Sequence, residues 1–174
     1  MRLETYQRGV LDLLKRRGER VSDPHLRHVE ASPNLALMRG IALWWRAVGI
    51  EAQCIVSTRI LRRLGCFDQT VASFFDSHAT SPFFEELAEA FLLSLAGHEN
   101  TLVRSVARFE RAYIRALAEE AAEAVEIIWD RNPNTLFAAL DQGGELPPRE
   151  TGSVYRMTVD RRLPGMVACT RESA

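Results

Sequence analysis

Lysine is almost missing from this chain of 174 residues: among its 22 basic residues only Lys15 is a lysine, a codon-bias signature that says nothing of function. Between Leu64 and Val103 there is no Lys or Arg at all, while Asp68, Asp76, Glu85, Glu86, Glu89 and Glu99 fall there. Basic stretches flank it, from Arg39 to Arg63 and from Arg104 to Arg115. Such an arrangement serves either to pair charges between packed segments or to offer an acidic face to a basic partner. The net charge is −1, so there is no bulk electrostatic case for nucleic acid or an anionic membrane, which require a basic face. Cysteine is scarce and odd in number. Cys54, Cys66 and Cys169 show no CxxC spacing, which fits free thiols in a reducing compartment. No apolar run approaches the length of a bilayer span. The opening MRLETYQRGV is polar and amphipathic, unlike a secretory leader, and the expectation is a soluble cytoplasmic protein. GxSxG, P-loop and GxGxxG motifs are all missing.

What is present is helical periodicity. In NTLVRSVARFERAYIRALAEE, from Asn100, the apolar residues Leu102, Val106, Phe109, Tyr113 and Leu117 recur at steps of three and four, one face of a helix. Asn100 or Thr101 can cap its start. Glu110 sits at the edge of that apolar face, where a carboxylate needs a partner; an Arg of a neighbouring helix is the expected one. Upstream, residues 3–17 form a helix ended by Gly18, and residues 19–34 a loop with a short turn at Pro24–His28. Ser32-Pro33 starts a long helix through Val48 that resumes to Leu64. Gly49 is its point of kinking or close packing, and Gly65 is its stop. Helices over 67–77 and 83–96 follow, the second begun by Ser81-Pro82 and closed by Gly97. Five helices over residues 1–121 make a bundle of roughly 120 residues, a typical single-domain size.

After Ala122 the texture changes. Val125-Glu126-Ile127-Ile128-Trp129 reads as a strand, Asn132-Pro133 opens a short helix ended by Gly143-Gly144, and strands are expected over Val154–Asp160 and Met166–Thr170. The fold class is α+β, mainly α, with a β-α-β-β unit over residues 122–174. At about 50 residues that unit is small for independence and is expected to pack on the bundle.

Candidate chemistry is thin. His25, His28 and Glu30 could begin a metal site, but a further ligand is missing nearby. His98, after Gly97, suits the carbonyl end of a helix dipole. Cys54 lies in an apolar run and reads as core. Trp44 and Trp45 are adjacent and cannot share one core; one is expected inside, the other at an interface. A sheet of three strands has two edges, and an extended peptide can add to an open one. The strand Val154, Tyr155, Arg156, Met157, Thr158, Val159, behind a Pro- and Gly-rich loop, is the candidate peptide-binding strand.

Several residues carry a family resemblance: Ser81-Pro82 through Leu95, then Val106-Ala107-Arg108-Phe109-Glu110-Arg111-Ala112, then Val125–Trp129, Asn132-Pro133 through Leu140, and the final hairpin. Together they resemble the HvfC/BufC-type proteins, once labelled putative DNA-binding domains, over roughly residues 80–174. Arg111 stands where that family has an aromatic, and the first 65 residues do not match. Related TglI- and MbnC-like proteins partner iron-dependent TIM-barrel oxygenases in ribosomal-peptide natural-product biosynthesis. The resemblance therefore implies a non-catalytic accessory subunit, with no cofactor of its own and iron in the partner, that binds the oxygenase and presents a precursor peptide through its C-terminal unit. Trp45, Phe109, Glu110 and Trp129 are the expected partner-interface residues. Two other readings stand beside it. A DNA-binding regulator would use Arg104–Arg115 as its basic helix, and a small enzyme would use His25, His28 and Glu30.

Overall fold

The computed structural model describes residues 3–14, 23–78, 83–118 and 123–173. Helix α1 spans Leu3–Leu14, α2 Pro24–Glu30, α3 Asn34–Gln53, α4 Ile55–Arg63, α5 Phe67–Ser77 and α6 Phe84–Ser94. A 3-10 turn, Leu95–Gly97, leads to α7, Thr101–Leu117. Strand β1, Val125–Trp129, helix α8, Pro133–Gln142, and strands β2, Ser153–Val159, and β3, Val167–Ser173, complete the chain. The fold is α+β and mainly α.

Local chemistry explains most boundaries. Asn100 Oδ1 accepts the Leu102 N–H at 2.9 Å and starts α7. Asn132 does the same for α8, accepting from Asn134 at 2.9 Å with Pro133 in the first turn. Gly143, at φ +72°, ends α8, and Gly65, at φ +70°, follows α4; both lie in the left-handed region that suits glycine. Ser32 Oγ accepts from the Asn34 N–H at the head of α3. The expected signals at Gly18 and Ser81-Pro82 lie outside the described residues.

Two expectations are corrected. The loop at 19–34 contains a helix rather than a short turn: Asp23 caps it by accepting from His25, Pro24 opens it, and Leu26 and Val29 give it an apolar side. The long helix breaks at Cys54, at φ −109° and ψ 59°, and not at Gly49. Of the two roles expected of Gly49, close packing is the one it plays: a Cβ there would lie 2.7 Å from Cδ1 of Phe84 on α6. With these two changes, seven helices rather than five precede β1 among the described residues.

The sheet is antiparallel in the order β1-β2-β3, with Ile127 opposite Met157 and Met157 opposite Cys169. Its inner face, with Ile127, Trp129, Tyr155, Met157 and Val159, is buried in the same hydrophobic cluster as Ile60 and Leu61 of α4, Phe91 and Leu92 of α6, and Val103 and Val106 of α7. Helical and β portions thus share one core. Phe109, Trp129 and Phe137 form an aromatic triangle at that seam, with ring centroids 5.0 to 6.1 Å apart. On the outer face Arg156 bridges Glu126 at 2.5 Å and Glu172 at 2.8 Å across all three strands. A second, smaller cluster joins Leu13, Leu26 and Leu35 at the N-terminal end.

Candidate interaction surfaces

Helix α3 turns a stripe of large apolar side chains outward. Leu37, Met38, Ile41, Trp44 and Trp45 are exposed, and with half-buried Val48 they occupy an arc of about 120° at 100° per residue. Leu37 is 61 %, Trp44 57 % and Trp45 58 % exposed. Neither tryptophan is core; their rings meet edge-on at 5.0 Å. The inward side of the helix carries Leu35, Arg39, Arg46 and Ile50. Arg39 donates to the Leu13 carbonyl through Nε at 3.0 Å and Nη2 at 2.6 Å, and the Arg46 guanidinium lies 5.4 Å from the centre of the Phe75 ring. A helix apolar on two sides gives no periodicity that chooses between them, and Arg39 and Arg46, with long apolar stems, supply inward contacts.

Of the four expected interface residues, Trp45 alone is on the surface. Trp129 is 1 % exposed and Phe109 is buried beside it in the aromatic triangle. Glu110, 5 % exposed, accepts the Val56 N–H at 2.7 Å and the Ser57 N–H at 2.8 Å. Its partner is therefore the start of α4, where two backbone donors would otherwise be unpaired, and not an arginine. Burial pushes the Glu110 carboxyl above its ordinary pKa, against the downward pull of the bonds from Ser57 and Val56. Sequence spacing could show that Glu110 borders the buried face, but not that Val56, 54 residues upstream at a helix start, would need it.

The sheet corrects the candidate peptide strand. Val154 to Val159 lie in β2, the middle strand, paired on both sides, so the available edges belong to β1 and β3. The Asp160 N–H donates to the Met166 carbonyl, which sets the alternation. Even-numbered residues of β2 bond β3, and Tyr155, Met157 and Val159 bond Trp129, Ile127 and Val125. Glu126 and Ile128 therefore turn their backbone groups to the outer edge of β1, where Ser105 Oγ donates to the Ile128 carbonyl at 2.8 Å.

Along that edge runs a groove of about 560 Å³ between β1 and helices α6 and α7. Leu92, Leu93 and Ile128 supply apolar lining; Arg104, Arg108, Arg111 and Arg149 supply guanidinium groups. Arg104 is held by the His98 carbonyl at 2.6 Å and Arg111 by Glu89 at 2.6 Å. Among the described residues Arg111–Glu89 is the one ion pair between the acidic stretch and its basic flanks. The lining carboxylate is Asp130, bonded by Arg131 at 2.9 Å, Thr101 at 3.1 Å and Arg149 at 3.4 Å. Burial raises its pKa, but Arg131, Thr101 and Arg149 together bring it below the ordinary value. The signal in the sequence was Arg104, Arg108 and Arg111 at helical spacing; what it lacked was the β1 edge facing them.

His25 and His28 are exposed on α2 with Glu30, and no group of three or more His, Cys, Asp or Glu side chains suited to a metal occurs among the described residues. His98 Nδ1 accepts from the Asn100 N–H at 3.1 Å, a structural role beside the α7 cap. Cys54 is core, its thiol pushed far above the ordinary range by burial and by Glu110; Cys169 is raised by burial. Both shifts favour the protonated thiol over the reactive thiolate. Among the described residues no helix is long and apolar enough to cross a membrane. No protein-family model, no curated protein and no solved structure matches the chain.

Proposed function

We propose that this chain is a non-catalytic subunit that docks on a larger enzyme through the exposed side of α3 and holds an extended peptide at an edge of its sheet. The enzyme we propose is an iron-dependent TIM-barrel oxygenase, with the iron held by that partner, and the peptide is its ribosomally made precursor. The observation that carries the docking reading is the apolar stripe of α3. Contiguous apolar surface rich in Trp, Met and Leu is typical of a protein contact. Two adjacent tryptophans on one rigid helix are the kind of anchor that dominates binding energy. The oxygenase is the partner implied by the resemblance over residues 80–174. A sheet whose outer strands, β1 and β3, each pair with β2 alone among the described residues supports the peptide half of the reading.

The test is native mass spectrometry with metal analysis on the protein purified from its own host. Co-purification with an iron-bearing subunit, lost in a Leu37→Glu/Trp44→Glu/Trp45→Glu variant of unchanged melting temperature, is the expected result. Recovery of the wild-type chain alone, or a complex indifferent to those three substitutions, would sink the docking surface.

A further inference from the structure

The two outer edges of the sheet are not equivalent. The edge of β1 is walled by a row of arginines, whereas β3 exposes Ala168, Thr170 and Glu172 and a single arginine, Arg171. We infer that the groove between α7 and β1 takes an acidic, extended peptide whose side chains alternate between carboxylate and apolar. This inference rests on the peptide-holding half of the proposed function and names the chemistry of that ligand.

Three features argue for it. The first is charge. Four guanidinium groups line the groove; Arg111 is matched by Glu89 and Arg149 by Asp130, which leaves Arg104 and Arg108 with no carboxylate among the described residues. The groove is thus locally cationic in a chain whose net charge is −1. Arg108 is exposed and makes no ion pair among the described residues; Arg104 is held at one Nη by the His98 and Glu99 carbonyls, so its head is already oriented. The second is spacing. Arg104, Arg108 and Arg111 rise along α7 by about 6 Å and then about 4.5 Å. Alternate residues of a strand repeat at about 6.6 Å, close to the Arg104–Arg108 interval. The third is the strand edge itself. Glu126 offers an N–H and a carbonyl and Ile128 an N–H to an added strand, while Ser105 keeps the Ile128 carbonyl. Leu92, Leu93 and Ile128 then meet the apolar side chains of the ligand. An apolar lining beside a strand edge favours a peptide over a single-stranded nucleic acid, whose bases stack on aromatic side chains that this lining lacks.

Fluorescence anisotropy on the isolated full chain tests the inference. The probes are a fluorescein-labelled peptide of alternating Glu and Val with Gly at each end, its Lys-for-Glu counterpart, a version with Pro at the central Val, and a single-stranded DNA octamer. The acidic peptide is expected to bind and to weaken as salt rises. The Lys counterpart is expected not to bind, and the Pro version to bind at least tenfold more weakly. Arg108→Glu and, separately, Leu93→Asp change exposed side chains and should keep the melting temperature while each weakens the acidic peptide at least tenfold. No binding by the acidic peptide, equal binding by the Lys peptide, or indifference to both substitutions overturns the inference. Tighter binding by the DNA octamer, competing at the same site, overturns it in favour of a nucleic-acid ligand. The α3 variant separates the two claims: it should lose the enzyme partner and keep the acidic peptide. Loss of the groove alone leaves the docking reading standing, and loss of docking alone leaves the groove.

Discussion

Glu110 on α7 closes the start of α4, its carboxylate taking the Val56 N–H at 2.7 Å and the Ser57 N–H at 2.8 Å. Glu110→Ala leaves both donors unpaired, Ser57 buried and Val56 half-buried, and should cost about 2–5 kcal/mol. Glu110→Gln keeps one acceptor and should cost less. The pH dependence has a definite sign. Because burial raises the folded-state pKa, the folded chain holds the proton more tightly than the unfolded one. The stability this contributes is complete below the unfolded carboxylate range and is lost as pH rises through the raised folded pKa. The penalty of Glu110→Gln should therefore shrink as pH rises through that window, read from urea midpoints at a series of pH values.

Asp130 has the opposite sign. Its folded-state pKa is lowered, net, by Arg131, Thr101 and Arg149. Its contribution is present above the unfolded value and fades as pH falls through the folded one. Asp130→Asn should flatten the acid side of the stability curve. An unchanged acid limb would show that those three contacts do not stabilise the fold.

Two helical glycines of α3 should respond oppositely to alanine. At Gly40 a Cβ meets nothing within 4 Å, so Gly40→Ala should stabilise by about 0.5–1 kcal/mol through helix propensity. At Gly49 a Cβ would sit 2.7 Å from Cδ1 and Cε1 of Phe84. Gly49→Ala should displace that ring and destabilise by about 1 kcal/mol. Paired thermal melts decide it.

The tryptophans divide two outside and one inside. Acrylamide should quench most of the emission of the isolated protein. A Trp44→Phe/Trp45→Phe variant, emitting from Trp129 alone, should resist the quencher. If the double variant quenches as readily as the wild type, Trp129 is not enclosed.

Elements with both a periodic face and a chemical stop were legible in the sequence. α5, α7, β1 and α8 are close to their expected spans, because Asn100, Asn132, Gly65 and Gly143 act on their immediate neighbours. What was not legible depends on parts of the chain that meet only in the fold. The break at Cys54 is completed by Glu110, and the space beside Gly49 is taken by the Phe84 ring. The orientation of α3 could not be read because both of its sides hold apolar residues, and the central place of β2 follows from strand order, which local pattern does not encode. The same holds for the groove: three arginines were visible on α7, but their value as a site comes from a strand edge laid beside them.

The small cluster of Leu13, Leu26 and Leu35 stands apart from the main core, joined to it through α3 and steadied by Arg39 at the Leu13 carbonyl. Helices α1 and α2 therefore enclose little of what holds the rest of the molecule together. Amide hydrogens there should exchange through a local opening of lower free energy than global unfolding, while those of α7 and β2 wait for the whole chain to unfold. The protein has, in this sense, two stabilities, and a denaturation midpoint measured on the core reports only the larger.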